Sequence, residues 1–320
     1  MQCIRPIKAS IALDGSITYS QRSAIPGLMP FQFPCRKCLP CRLNISREKA
    51  IRAVHEAQMH GDNNAFITLT YSDAHLSSPR LHLADFQQFM QDLRDHVGYS
   101  PESRIGVMYT GEYGEQTKRP HWHAILFNYS PPDLKKFRTT ERGDHVFTSE
   151  LIDEIWGKND SSKKPSEIGN VTIESAGYVA RYAAKKLVHG QDQEHDFHPI
   201  HKTSSKNAIG RRWIEKYWKQ TFDHGYVVEP ISKQKMPIPR YYVDWLKKQI
   251  PNEYIRYVTQ KREETIALAE ANARKDELIY LSNLLSHEGS KCRHRPLPRK
   301  EVKHRVLQSK FKTLQEKLKL

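Results

Sequence analysis

Two histidines and a carboxylate are the first residues in this chain whose types and spacing could do chemistry. The run Arg119-Pro120-His121-Trp122-His123-Ala124-Ile125-Leu126-Phe127 is aromatic and aliphatic, bounded by Pro120 on one side and by Asn128, Ser130 and Pro131 on the other. It reads as a strand. Successive side chains of a strand point to opposite faces, so His121 and His123 share one face while Trp122 and Ala124 pack on the other. Two neutral imidazoles side by side make half of a metal site. The preceding extended run, residues 104–113, offers a third donor. If Gly114 to Arg119 is the turn of a hairpin, Glu112 falls opposite His121 and Thr110 opposite His123, and directly paired residues share a face. A one-residue slip would break that register and leave Glu115 as the fallback carboxylate. A lone His-x-His on a strand is ordinarily a surface or core feature; the carboxylate at hairpin distance is what points to a metal.

Some fifty residues on, Ser175-Ala176-Gly177-Tyr178-Val179-Ala180-Arg181-Tyr182-Ala183-Ala184-Lys185-Lys186-Leu187 combines helix formers with apolar residues at helical spacing. Tyr178 and Tyr182 are i and i+4 on one helix face, with Lys185 three residues beyond Tyr182. Such a pair is more often packing than chemistry, but beside a two-histidine metal site the balance reverses. Near the start, Cys35, Cys38 and Cys41 stand at x2 spacings. Three thiolates in seven residues suit zinc, with Cys3 or a histidine as the fourth ligand. They also look like half of a ferredoxin-type run whose fourth Cys-Pro is missing. The plainer alternative is a reduced, metal-free turn.

Taken in order, the hydrophobic strand Phe66-Ile67-Thr68-Leu69-Thr70-Tyr71, the His-x-His and the Tyr-x-x-x-Tyr with trailing lysines resemble the three motifs of the HUH endonucleases. Within that group the details are similar to the replication-initiation proteins of gokushoviruses, single-stranded-DNA phages of the microvirus family. The shared features are Gly-Glu-Tyr-Gly before Arg-Pro-His-x-His, the Tyr-Val-Ala-Arg-Tyr helix and the Cys-x-x-Cys-x-x-Cys near the start, spanning roughly residues 35 to 245. The resemblance implies metal-dependent nicking of DNA at a replication origin and rejoining of the strand, in rolling-circle replication. It implies a 5′-phosphotyrosine intermediate on Tyr178 or Tyr182, with one tyrosine cutting while the other is occupied. Lys185 or Lys186 would favour the phenolate or hold a phosphate oxygen. Mg²⁺ or Mn²⁺ would sit on Glu112, His121 and His123, with zinc a candidate at the cysteines. The implied partners are single-stranded phage DNA, the replicative-form origin and host helicase or polymerase, in the host bacterial cytoplasm.

Positioning those groups needs a fold, and composition bounds it. The 320 residues include 38% hydrophobic and 27% charged residues, enough for one large core or two ordinary ones. A formal net charge of +15 and a pI near 9.5 point to a polyanionic partner. There is no apolar run of membrane-spanning length, no secretory signal at the first residues, and five cysteines expected to be reduced.

The expected elements follow the chain. Helices are expected at 44–60 and 83–97, strands at 66–71, 104–113 and 120–128, a short helix at 151–156, a strand at 171–174, then the tyrosine helix. That β-α-β-β-α-β order is a ferredoxin-like split βαβ. The fold class is therefore α+β: a ferredoxin-like, RRM-like HUH endonuclease core around a central antiparallel sheet, with a helical C-terminal extension. The segments divide as 1–60 with the cysteines and a helix, 61–190 as the core, 191–290 as helical, and 291–320 as a basic tail. Residues 191–206, with His195, His198 and His201, read as an exposed linker. A helix at 209–218 interleaves Arg211, Arg212, Lys216 and Lys219 with Trp213, Tyr217 and Trp218. It suits single-strand binding with Arg181 and Lys186, or equally a helix that buries its aromatics. A further short helix carries Trp245, and 259–287 could be one long helix. The tail holds eleven basic residues against two acidic ones, an arm of the kind that is often disordered and raises nonspecific affinity for nucleic acid. A non-catalytic single-stranded nucleic-acid-binding protein on the same sheet is the rival reading; it leaves the convergence of histidines, carboxylate and tyrosines without a purpose.

Overall fold

In the computed structural model, which describes residues 3–73, 76, 78–98, 100, 102–114, 118–140, 143–157, 166–185, 200–204, 208–287 and 297–317, the His-x-His run is a strand near the middle of a seven-stranded antiparallel sheet. Ahead of that sheet, β1 (Ile7–Ile11), β2 (Ile17–Thr18) and β3 (Phe31–Phe33) form a small sheet of their own. The helix α1 (Leu39–Gln58) follows. It begins five residues before the expected start because Pro40 is tolerated in a first turn, which apolar periodicity does not register.

The core is β4 (Asn64–Thr70), α2 (Leu83–Val97), β5 (Gly106–Tyr113) and β6 (Pro120–Phe127), then β7 (Lys135–Thr139), β8 (His145–Thr148), α3 (Glu150–Gly157) and β9 (Glu167–Gly169). The order β5-β6-β4-β9 is that of the split βαβ, with β7 and β8 added beyond β9. The helix α4 (Ile173–Lys185) and β10 (Ile200–Thr203) complete it, β10 pairing with β5 at the opposite edge.

Alternation along the strands divides the sheet into two faces. Ile67, Leu69, Val107, Tyr109, Trp122, Ala124 and Leu126 pack with Phe86, Phe89 and Leu93 of α2 and Ile152 of α3. Trp122 is completely buried, and its indole N–H donates to the Tyr71 hydroxyl at 3.0 Å, which donates to Asp85 at 2.8 Å. Truncating such a ring to alanine would cost about 3–5 kcal/mol. That burial fixes the register, because a slip of one residue would exchange Trp122 with a histidine. The other face carries Met108, Ile125 and Phe127 under Ala50, Val54 and Ala57 of α1 and Ala176, Val179 and Ala180 of α4. Beyond these apolar residues, the same face presents Thr68, Thr110, Glu112, His121 and His123.

Beyond the sheet come α5 (Arg211–His224), β11 (Val227–Val228), β12 (Lys235–Met236), α6 (Arg240–Gln249), α7 (Pro251–Arg256), α8 (Arg262–His287) and α9 (Arg299–Lys317). The helices α5 and α6 build a second core, in which Trp213, Ile214, Tyr242 and Leu246 close on Ile51 of α1.

Four expectations change. Residues 171–174 are not a strand: Thr172 and Ser175 exchange side-chain-to-amide hydrogen bonds at 2.9 and 3.2 Å, a reciprocal cap that starts α4 at Ile173. The last core strand lies earlier, at β9. Within the expected linker, His201 belongs to β10, while His195 and His198 lie outside the described residues. The basic tail is helical over α9, where Arg299 pairs with Asp276 of α8 and Tyr280 donates to the Leu297 carbonyl at 2.8 Å. Finally, α5 buries Trp213 against His55, so that ring is structural rather than a stacking platform for bases.

Candidate active site

The β5–β6 hairpin has the register that brings the three donors together: Glu112 opposite His121 and Thr110 opposite His123. One Glu112 carboxylate oxygen lies 3.1 Å from His121 Nε2 and 2.8 Å from His123 Nε2. One donor atom from each of the three residues lies within 4.8 Å of the others. Glu112 and His123 are buried and His121 is half-buried. The alternative carboxylate, Glu115, lies outside the described residues.

The far nitrogen of each ring is held as well. His121 Nδ1 lies 3.2 Å from the Arg119 carbonyl. A carbonyl only accepts, so Nδ1 carries the proton and Nε2 turns its lone pair toward Glu112. His123 Nδ1 lies 2.9 Å from Thr68 Oγ1, directly across the β4–β6 pairing. With Thr68 accepting there, the second Nε2 also presents a lone pair. Burial lowers the His123 pKa, with the Glu112 hydrogen bond opposing, and so favours the neutral ring that ligates metals. Lone pairs converging on a carboxylate oxygen repel one another unless a cation lies among them. The donor set therefore fits a divalent metal, with outer partners orienting the imidazoles.

Onto this cluster α4 lowers Tyr178. Its hydroxyl donates to the same Glu112 oxygen at 2.8 Å and lies 3.4 Å from His123 Nε2. The tyrosine and His123 rings meet edge-on, with centroids 4.9 Å apart. Phe66 stacks on His123 at 5.9 Å and closes that side. The reciprocal Thr172–Ser175 cap sets where α4 begins. Its Ala176, Val179 and Ala180 seat the helix on α1, and that leaves Tyr178 over the sheet.

The other expected residues are distributed differently. Tyr182, Arg181 and Lys185 belong to the same helix, Tyr182 one turn after Tyr178; their side chains and the whole of Lys186 lie outside the described residues. Arg211 is exposed and pairs with Glu215 at 2.7 Å. Arg212 lines a small cavity with Glu56, His60 and Arg104 beside Gly106 and Phe127. Those last two are paired at the far end of the hairpin from Glu112, about 20 Å away along the strands. Cys35, Cys38 and Cys41 converge with Cys3, apart from the histidine site. Sequence reasoning passed over Thr68 and Phe66. Both stand on alternate positions of the strand that pairs with β6, and knowledge of that pairing would have found them.

The comparisons with known proteins agree with this arrangement. Residues 64–187 match the family model of the replication-associated protein ORF2. Over 324 aligned positions, covering all of both chains, the sequence is 52% identical to replication-associated protein VP4 of Bdellovibrio phage phiMH2K. It is 31% identical to replication-associated protein ORF2 of Spiroplasma virus 4, over 72% of each chain. It is 30% identical to replication-associated protein ORF4 of Chlamydia phage 1, over 70% of this chain and 55% of that one. No solved structure matches it. A full-length relative at 52% identity, on a chain whose motifs fall in the same order, settles the kinship: the chain belongs to the replication-associated proteins of gokushovirus-like phages.

Proposed function

We propose that this protein initiates rolling-circle replication by nicking phage DNA at its origin through tyrosine transesterification, and later rejoins the strand. The observation that carries this reading is the meeting of a tyrosine hydroxyl with Glu112, His121 and His123 on one face of the sheet. A free tyrosine has a pKa of about 10 and is a poor nucleophile at neutral pH. The Glu112 oxygen that accepts from Tyr178 at 2.8 Å gives the proton a route off the attacking oxygen. A Mg²⁺ or Mn²⁺ ion held by Glu112, His121 and His123 would supply Lewis-acid polarisation of the scissile phosphate.

In the step itself the Tyr178 oxygen forms a bond to phosphorus and the bond from phosphorus to the 3′ oxygen breaks. The leaving oxygen takes up a proton to become the 3′-hydroxyl that primes synthesis. The 5′-phosphotyrosine conserves the energy of the broken linkage, so a later 3′-hydroxyl can attack it and free the tyrosine. Tyr182, one helical turn away, serves the second cut while Tyr178 is occupied. Lys185 or Lys186 favours the phenolate or holds a phosphate oxygen. Arg181, Arg211 and Arg212, with the net charge of +15, hold the strand. Host replication proteins then extend the exposed end in the bacterial cytoplasm; among the described residues no helix is long and apolar enough to cross a membrane.

The test is incubation with labelled single-stranded origin DNA and Mn²⁺ or Mg²⁺. Cleavage should require the metal and vanish in His121→Ala and His123→Ala, while DNA binding persists because its charge is spread over many lysines and arginines. Near wild-type nicking by both variants, or DNA binding with no nicking under any divalent metal, would return the chain to a purely binding role.

A further inference from the structure

We propose that Cys3, Cys35, Cys38 and Cys41 bind one zinc ion as a closed tetrathiolate that clamps the N-terminal segment to the start of α1. The four sulfurs lie within 4.8 Å of one another, although Cys3 is more than thirty residues from the rest in sequence. Cys3 and Cys38 Sγ are 3.8 Å apart. A tetrahedral zinc with bonds of about 2.3 Å requires sulfurs roughly 3.8 Å apart. An iron–sulfur cube, with one thiolate on each corner iron, splays its sulfurs further than this cluster does. The spacing therefore selects a mononuclear ion.

The backbone is shaped for the same end. The Cys35 amide donates to Cys3 Sγ and the Cys38 amide to Cys35 Sγ, each at 3.3 Å, and such bonds favour thiolates over thiols. Arg36, between them, is held at a φ of +61°, a left-handed conformation costly for a residue with a Cβ. Core packing does not explain the convergence. Three of the cysteines are only half-buried, and none of the four belongs to a hydrophobic cluster among the described residues. Cys38 caps α1 and Cys41 lies in its first turn, where the helix dipole favours negative charge. Four thiolates around Zn²⁺ leave a double negative charge, and Arg36, Lys37 and Arg42 lie in the same short segment.

All four positions are filled by protein, which makes this a structural site. Each thiol gives up its proton to solvent as the metal binds. The helix so anchored supports α4: Ser46 donates to the Ala180 carbonyl at 3.2 Å, and Ala50 and Val54 pack against Ala176 and Val179. The site stands apart from the histidines and does not depend on the nicking mechanism.

The experiment uses the full chain, exposed to zinc and then dialysed into metal-free buffer. Elemental analysis should find one zinc per chain in wild type and in His123→Ala. In a Cys292→Ser background, which removes the fifth cysteine, a mercurial should release that zinc after reacting with four thiols. Cobalt exchanged into the site should show intense thiolate-to-cobalt charge-transfer bands with tetrahedral ligand-field bands, and Cys3→Ser should weaken metal affinity at least tenfold. A folded wild-type chain without zinc, iron with acid-labile sulfide, or zinc held undiminished by Cys3→Ser would overturn the proposal. If Cys3→Ser fails to fold, the wild-type cobalt spectrum decides alone: a non-thiolate spectrum would count against the site.

Discussion

His55 should make the attachment of the C-terminal helices to α1 sensitive to acid. The residue is completely buried on α1, its ring stacked on Trp213 with centroids 3.6 Å apart. Its Nε2 lies 3.0 Å from the Val228 carbonyl and Nδ1 3.0 Å from the Tyr242 hydroxyl. The carbonyl takes a proton from Nε2 and Nδ1 accepts from the tyrosine, so the neutral ring is fully satisfied. Burial pushes its pKa down to about 4, against the opposing influence of the Val228 carbonyl and the Glu229 carboxylate. In the unfolded chain the value is about 6.5. Above pH 6.5 both states are neutral and the group is silent. Between pH 6.5 and 4 the unfolded chain binds the proton first, and stability falls by about 1.4 kcal/mol per pH unit, reaching about 3 kcal/mol at pH 4. Urea unfolding from pH 7.5 to 4, in wild type and His55→Gln, isolates this contribution from that of the other fifteen histidines. The variant should be weaker at neutral pH, with a difference that shrinks by about 3 kcal/mol toward pH 4. Parallel stability curves for the two proteins would refute the reasoning.

Other perturbations follow from the site's construction. A Cβ on Gly111 would approach the Trp122 ring to 2.7 Å and Leu81 to 3.0 Å, so Gly111→Ala should cost about 1–3 kcal/mol of stability, read by denaturant unfolding. Thr68→Val keeps the shape but removes the oxygen beside His123 Nδ1; nicking or metal affinity should drop roughly 10–100-fold with stability nearly unchanged, measured by cleavage kinetics and metal titration. Tyr182→Phe should still cut single-stranded DNA but fail to yield closed unit-length circles, seen on denaturing gels.

Much of the catalytic side was legible because strand alternation is rigid. Two histidines two apart must share a face, and a short polar turn between two strands leaves few registers for Glu112. The helix α2 kept its expected bounds because five apolar residues repeat on one face. What escaped depended on side-chain hydrogen bonds or on distant pairing. Thr172 and Ser175 read as part of a β-branched strand, yet their mutual capping makes them a helix start. Thr68 acquires its role only when β4 lies beside β6, and Ile200–Thr203 only when β5 offers an open edge. Trp213 looked available to bases because helical periodicity cannot show that His55, far away in sequence, covers its ring.

The most direct measurement is the identity of the residue that carries DNA after the first cut. Trapping the protein on single-stranded origin DNA, trimming with nuclease and sequencing the modified peptide by mass spectrometry should find the nucleotide on Tyr178, whose hydroxyl already meets Glu112 and His123. The Tyr178→Phe, Tyr182→Phe double variant should form no adduct. A nucleotide on Tyr109 or Tyr217, or an adduct undiminished in the double variant, would contradict the account.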